Sequence, residues 1–332
     1  MSRFDVPTDR DASGRSMGEE ELAWLAAVIE TGSLNSNSGQ MVRNFEEEFA
    51  SHQGVGHCIA CNSGSFAVQA ALAALELPKG SSVVTTAVTD FGALTAILYE
   101  GLQPRFCDVD PVTLQPTAET IARALDEPAR GSLGTEPVSA VVLTSLFGRP
   151  TEAEKVAALC EARGLPLVED AAQSLETLRG GRRIGSFGQI STFSFQQGKH
   201  ITSGEGGALL CHDDALARRV RLFVNKAWPY GEAHPDHLFV APNGRMTELQ
   251  GAVLRGQLGK LTGLVERRIA TADRFLEEIG SVSGLTHAAL DAGDRHSFWR
   301  VDLGVDPEQI PGGVDALAGA LRELGIPCAP HY

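Results

Sequence analysis

Lysine is the scarce residue of this chain. Only Lys79, Lys155, Lys199, Lys226 and Lys260 occur in 332 residues, and the formal net charge is −14. Recognition of a phosphate backbone needs clustered Lys and Arg, so nucleic acid is excluded as the main partner. Arg179, Arg182 and Arg183 stand close together, but Gly180 and Gly181 between them mark a solvated loop. Long apolar runs are missing too. No stretch approaches the roughly 20 apolar residues that span a bilayer, so no membrane partner is expected. The opening MSRFDVPTDRDASGR lacks the apolar core of a signal peptide, which makes a cytoplasmic location the expectation. The nicotinamide fingerprint, G-x-G-x-x-G after the first strand, is absent as well. Six cysteines are scattered at 58, 61, 107, 160, 211 and 328. The one C-x-x-C, Cys58 to Cys61, comes without the second ligand pair of a zinc site. On a strand, residues three apart face opposite sides. These thiols therefore read as packed and free, and no metal is expected.

What is present is an ordinary soluble composition, 43% hydrophobic and 21% charged, long enough for one large domain and a smaller one. Strand patterns at 57–60, 83–88, 105–109, 140–147 and 165–168 alternate with helical patterns at 66–76, 91–100, 118–125 and 151–163. That alternation predicts an α/β fold with a mostly parallel central sheet flanked by helices, ligands binding beyond the carboxyl ends of the strands. Ser16 and Glu19 predict a capped helix to Ile29, burying Leu22, Leu25, Ala26 and Ile29. Thr151 with Glu154 predicts a capping box, and Thr247 with Gln250 opens a helical pattern running to about Glu278. Residues 297–303 read as a strand and 314–324 as a helix. The domains expected are a flexible N-terminus over 1–15, a large domain over 16–245, and a linking helix with a small C-terminal domain over 246–332.

The chemistry gathers in 166–210. An apolar strand ends in Glu169-Asp170, Gln173 follows, and a second strand, Ser191 to Phe195, delivers Lys199 before Gly204-Glu205-Gly206-Gly207 turns the chain back. A lysine in a walled pocket can lose its proton and form a Schiff base with a carbonyl. Pyridoxal phosphate (PLP) requires such a lysine, an acid to keep its ring nitrogen protonated, and a phosphate cradle. Asp170 supplies the acid. Gly64 and Ser65, at the start of an Ala-rich helix whose first N–H groups are unpaired, supply a cradle together with Ser194. Plainer readings stand beside these: Ser63 or Ser65 as a helix cap, Ser194 as a strand residue, Gln173 as a turn hydrogen-bonder, Asn243 as a cap. Lys226, the rival lysine, ends an amphipathic helix where a cation suits the dipole.

The run Glu169-Asp170-Ala171-Ala172-Gln173, Gly185-Ser186, Phe193-Ser194-Phe195, Lys199 and Gly204 to Gly207 resembles the DegT/DnrJ/StrS aminotransferases. So do Asn62-Ser63-Gly64-Ser65 and the Asn243-Gly-Arg245-Met246 motif before the long helix. The resemblance covers roughly residues 30–332. It implies a fold type I PLP-dependent transferase that aminates keto sugars or keto cyclitols, as in amino-sugar and aminoglycoside biosynthesis, with L-glutamine or L-glutamate as donor. Lys199 would carry PLP as a Schiff base and shuttle a proton, and Asp170 would pair with the ring nitrogen. Gln173 would contact the side bearing the 3′-oxygen; Gly64, Ser65 and Ser194 would hold the phosphate. Asn243 would reach the neighbouring subunit's cofactor phosphate, making the active unit a homodimer with shared sites. Two departures stand out. Asp90 occupies the register where the family often stacks an aromatic ring, with Phe91 next to it. Family members also run on beyond His331-Tyr332, so the small α+β domain is expected to be incomplete. Rival readings are a PLP-dependent sugar dehydratase, which carries histidine in place of the lysine (His200 lies adjacent), and an inactive PLP-binding regulatory homologue.

Overall fold

The computed structural model describes residues 4–128 and 133–330; His331 and Tyr332, where the family resemblance expects the chain to run on, lie outside them. Helices α1 (Glu19–Thr31) and α2 (Met41–Gln53) lead into β1 (His57–Cys61), α3 (Gly64–Ala74), β2 (Ser82–Thr86), α4 (Phe91–Tyr99) and β3 (Gln103–Cys107). The alternation continues through α5 (Ala118–Asp126), β4 (Val138–Thr144), α6 (Ala153–Arg163) and β5 (Leu167–Asp170). A small ribbon of β6 (Leu178–Arg179) and β7 (Arg182–Arg183) precedes β8 (Ile190–Ser194), β9 (Gly207–Cys211) and α7 (Asp214–Val224). The long α8 (Glu248–Ile279), the short pair β10 (Leu285–Thr286) and β11 (Gly304–Val305), and α9 (Gly313–Glu323) complete the described chain.

Seven strands form one sheet in the order β1-β9-β8-β5-β4-β2-β3. Four pairings are parallel, β2 with β3, β2 with β4, β4 with β5 and β5 with β8; β9 runs antiparallel to both β8 and β1. Of the parallel strands, β2, β5 and β8 are buried at every position because helices cover both faces. One face packs Phe45, Phe49, Phe193 and Phe195 edge to face, with ring centroids 5.1–5.6 Å apart; the other buries Ile59, Leu72, Ile97 and Val168. Cys58 joins the first cluster and Cys61 the second, so the C-x-x-C is split across the sheet, both thiols free. Burial pushes the Cys61 thiol up to about 12, far from a metal-ready thiolate.

Three local expectations give way to tertiary contacts. In α1 the buried side chains are Glu21 and Val28, while Leu22 and Ile29 are 65% and 63% exposed. The helix docks on α8 through charge: Lys260 Nζ lies 2.6 Å from Glu21 Oε1, Gln257 Nε2 donates to that same oxygen at 2.8 Å, and Gly18 is the N-cap. The Thr151 capping box does not form; Thr151 Oγ1 pairs with Ser145 Oγ at 3.0 Å, Glu154 is taken by Arg179, and α6 begins after Glu152. Residues 297–303 are not a strand. Their N–H groups turn to the large domain, Ser297 N to Gly148 O at 2.9 Å and Arg300 N to Phe147 O at 3.1 Å, and Phe298 sits at φ 48°. The Thr247–Gln250 box does form and opens α8.

The acid pair on β5 divides by strand geometry, since neighbours point to opposite faces. Glu169, 1% exposed, turns inward and accepts from Gly185 N at 2.9 Å, Phe187 N at 2.6 Å and Gly188 N at 2.7 Å. It anchors the glycine-rich excursion that returns the chain to β8. Glu169→Ala strands those donors, and urea titration should show a loss of about 3 kcal/mol. An unchanged midpoint would remove Glu169 as the anchor.

Candidate active site

Asp170 ends β5 at the carboxyl edge of the parallel strands, opposite Thr144 in register. It is 5% exposed. Burial pushes its carboxyl up to about 6, against the opposing pull of the Ala172 N–H and the Lys199 charge; Asp90 adds to the upward push. Ala172 N donates to Oδ1 at 3.2 Å. A carboxylate held this dry has much to gain from a cationic partner.

Lys199 comes off β8 on a turn whose backbone is fixed at several points. Its N–H donates to Gln196 O at 2.9 Å, and Gly198 N donates to Gln196 Oε1 at 2.7 Å. Two distant segments reach in. Arg15 Nη1 donates to Lys199 O at 2.7 Å, and Trp299 Nε1 donates to Gly198 O at 2.7 Å. Asp9 O also accepts from Gln197 Nε2 at 2.8 Å. The half-buried Lys199 side chain holds Nζ 4.5 Å from the centre of the Trp299 ring. Burial draws its ammonium below the ordinary lysine range, while Asp170 and Asp90 oppose that and Arg300 assists it. His200, next in sequence, points elsewhere: it is buried, bonds Ser297 O at 3.1 Å, and burial takes its ring down to about 3. It is a neutral packing histidine.

A third wall comes from two helix starts. Ser63 caps α3 by accepting from Phe66 N at 3.2 Å. Its neighbour Gly64 lies so close to β8 that a Cβ there would sit 2.7 Å from Ser194 Cβ. Only glycine permits this approach, which sets the positive end of α3 beside the buried Ser194. A Cβ on Gly92 would likewise fall 2.2 Å from Ser65 Oγ, so the start of α4 abuts the start of α3. The cradle that PLP phosphate needs is present, as are the dry acid and the walled lysine: the residues fit the cofactor.

The structure thus brings together Lys199 and Asp170 by charge, and Gly64 and Ser194 by contact. Gln173 is buried with Oε1 accepting from Phe147 N at 2.8 Å. Asn243 is exposed, bridged in antiparallel fashion to Asn225, and its place is beside α3, since Asn62 N donates to Gly244 O at 2.8 Å. Phe91 is 69% exposed. A cavity of about 540 Å³, lined by Arg43, Glu46, Arg221, Asn225, Trp228 and Arg245 among others, includes none of these groups except the Asn225 that pairs with Asn243. Sequence reasoning missed Asp90, Trp299 and Arg15 as neighbours of Lys199. A tryptophan in an irregular segment and an arginine near the N-terminus carry no local signal, whereas Asp90 was visible as a departure from pattern.

A family model described as the DegT/DnrJ/EryC1/StrS aminotransferase family matches residues 15–332. Among individual proteins, the putative pyridoxal phosphate-dependent aminotransferase EpsN of Bacillus subtilis is 33% identical over 81% of this chain and 68% of its own. A dTDP-4-dehydro-2,3,6-trideoxy-D-glucose 4-aminotransferase of Saccharopolyspora spinosa is 32% identical over 95% of this chain and 82% of its own. The crystal structure of the aminotransferase TlmJ from Streptoalloteichus hindustanus superposes with a TM-score of 0.86 at 30% identity, covering 96% of this chain and 83% of that one.

The buried carboxylate gives a measurable trade. Its folded value, about 6, exceeds the unfolded 3.8, so the folded chain binds the proton more tightly and stability falls as pH rises from about 4 to about 6. Above that window the cost is constant at about 3 kcal/mol. Asp170→Asn removes it. The cofactor-free variant should melt higher than the parent at pH 7.5 and alike at pH 4, while losing PLP affinity. Equal melting at both pH values would sink the desolvation argument.

Proposed function

The chain belongs to the DegT/DnrJ/EryC1/StrS family of fold type I, PLP-dependent aminotransferases, and from that premise we propose that it moves an amino group from L-glutamine or L-glutamate to a keto sugar, nucleotide-linked or free, or a keto cyclitol. The observation that carries the reading is the buried Asp170 carboxylate coupled to the half-buried Lys199 amine beside two abutting helix starts. The names of the relatives favour a sugar acceptor. The glutamine or glutamate donor rests on the family resemblance as a whole, and the cyclitol alternative on the spelling Phe195-Gln196-Gln197-Gly198-Lys199.

PLP supplies an electrophilic carbon and a ring that accepts an electron pair. Lys199 would hold the cofactor through Nζ and would serve as the group that takes up and returns a proton; its lowered proton affinity suits both roles. Asp170 would keep the ring nitrogen protonated, because a dry carboxylate stabilises a neighbouring cation strongly. Gly64, Ser65 and Ser194 would hold the phosphate through first-turn N–H groups and hydroxyls. Gln173 would contact the side of the ring bearing the 3′-oxygen, its orientation fixed by accepting from Phe147 N. Asn243, exposed here, would reach the phosphate of a second copy's cofactor, which would make the working unit a homodimer; the location expected for it is cytoplasmic. Residues 16–245 form the cofactor domain, and 246–332 the linking helix with the small domain.

Borohydride reduction of the PLP-loaded protein followed by peptide mapping should place the adduct on Lys199. Lys199→Ala should lose it and drop transamination about 10²- to 10⁴-fold. Conversion of the cofactor absorbance by L-glutamine, then a panel of keto sugars and keto cyclitols, identifies donor and acceptor. An undiminished adduct in Lys199→Ala would overturn the assignment.

A further inference from the structure

The indole that faces Lys199 stands on a buried polar cluster outside the cofactor site. Arg149 and His296 are 2% and 1% exposed. Arg149 Nε donates to Asp302 Oδ2 at 3.1 Å, and its Nη2 donates to Ala288 O at 3.1 Å. His296 Nε2 lies 3.2 Å from Asp302 Oδ1, and its Nδ1 accepts from Phe298 N at 2.9 Å. A backbone N–H can only donate, so Nδ1 is bare and Nε2 carries the proton toward the carboxylate. The imidazole is thus neutral and held in one tautomer. Burial draws its proton affinity below the ordinary histidine range; Asp302 opposes this, while Arg149 and His287 assist it. The ring also stacks on that of Phe298, with centroids 4.0 Å apart and planes at 6°.

These contacts hold a backbone that local preference disfavours. Phe298 sits at φ 48°, a region that residues other than glycine rarely adopt. Opposite it, Gly148 comes so close that a Cβ there would fall 2.9 Å from Trp299 N and 3.0 Å from Phe298 N. The chain leaves this turn with Trp299 Nε1 donating to Gly198 O at 2.7 Å and the indole ring centred 4.5 Å from Lys199 Nζ. We propose that His296 is a positioning residue for the cofactor lysine: by accepting the Phe298 N–H it sets the Trp299 indole against the Lys199 turn, with Asp302 fixing its tautomer and Arg149 fixing Asp302. This rests on the reading of Lys199 as the cofactor lysine. A tie between the C-terminal segment and the large domain needs only the Arg149–Asp302 pair. That tie leaves unexplained an imidazole whose bare nitrogen is aimed at the N–H of the residue before Trp299.

Asp302→Asn is the sharpest probe. Its amide oxygen can still serve Arg149, while its NH2 faces His296 Nε2 and moves the imidazole proton to Nδ1, where it opposes the Phe298 N–H. His296→Leu removes the acceptor, His296→Asn puts an oxygen in place of Nδ1, and Trp299→Phe removes the donor to Gly198 O; melting curves show that each variant is folded. The cofactor-free full-length chain is labelled with acetic anhydride at pH 8, the 75%-exposed Lys79 side chain serving as reference, and the rate at Lys199 is read by peptide mass. Asp302→Asn, His296→Leu and Trp299→Phe should each raise that rate about three- to tenfold, the worth of one hydrogen bond in the opening of the turn. His296→Asn should stay near the parent. Asp302→Asn combined with Trp299→Phe should label no faster than either alone, because both break one linkage. Parent-like labelling in Asp302→Asn, multiplied effects in the double variant, or His296→Asn labelling as fast as His296→Leu would overturn the role of His296. Borohydride reduction of the PLP-loaded parent tests the premise separately: an adduct on another lysine would overturn the Lys199 reading and this inference together.

Discussion

A carboxylate out of reach of water is the constraint on which this site depends. Asp170 is placed by β5, in the middle of the sheet, and both faces of that sheet are sealed by helices. Desolvation lifts its proton affinity, and the same dry wall lowers that of Lys199. The two groups are thus drawn toward each other's range, which primes one to stabilise a cation and the other to give up a proton. Glu169 shows that burial alone does not make such a site. It is still less exposed than Asp170, yet three backbone N–H groups answer its charge. A satisfied acid is a strut, and an unsatisfied one waits for a partner.

The surrounding architecture keeps that partner's place open. Parallel strands end together at one edge, and the helix starts that follow β1 and β2 arrive there with their positive ends forward. Glycine at 64 and 92 lets those starts touch β8 and each other. The Lys199 turn adds stiffness, with carbonyls held by Arg15 and Trp299 and its loop ends pinned by Thr202 Oγ1 on Phe195 O at 2.8 Å. What remains for a ligand is a space with fixed walls and few rotors to immobilise.

Most of this was legible in the residues because it is written in local terms. Strand–helix alternation, the Ser63 turn, the Thr247–Gln250 box and the run from Asp170 to Lys199 depend on nearest neighbours, and each appears where the pattern puts it. The failures share one cause. Leu22 and Ile29 spell a buried face, but Lys260 and Gln257 of α8 hold Glu21 instead. Thr151 spells a cap, but Ser145 claims its hydroxyl. Residues 297–303 alternate like a strand, yet their N–H groups go to Phe147 and Gly148. In every case a partner more than five residues away outbid the local preference. Trp299 and Arg15 entered the site in the same way, through the fold rather than the string. The expected domain division and the reach of Asn243 stay proposals of the fold class.

The contacts on the Lys199 turn have a consequence for how the chain acquires function. Arg15 and Lys199 are 184 residues apart in sequence, and Trp299 and Gly198 are 101 apart. Closures of that length carry a large entropic penalty and form late, after local helices and hairpins have condensed. During synthesis the sheet and Asp170 can assemble while the lysine turn still lacks its indole. The turn gains its indole contact only when residue 299 has emerged, well after the strand that carries Asp170. The lysine turn is therefore held by contacts that span most of the chain, whereas Asp170 is held by its own strand and the strands beside it.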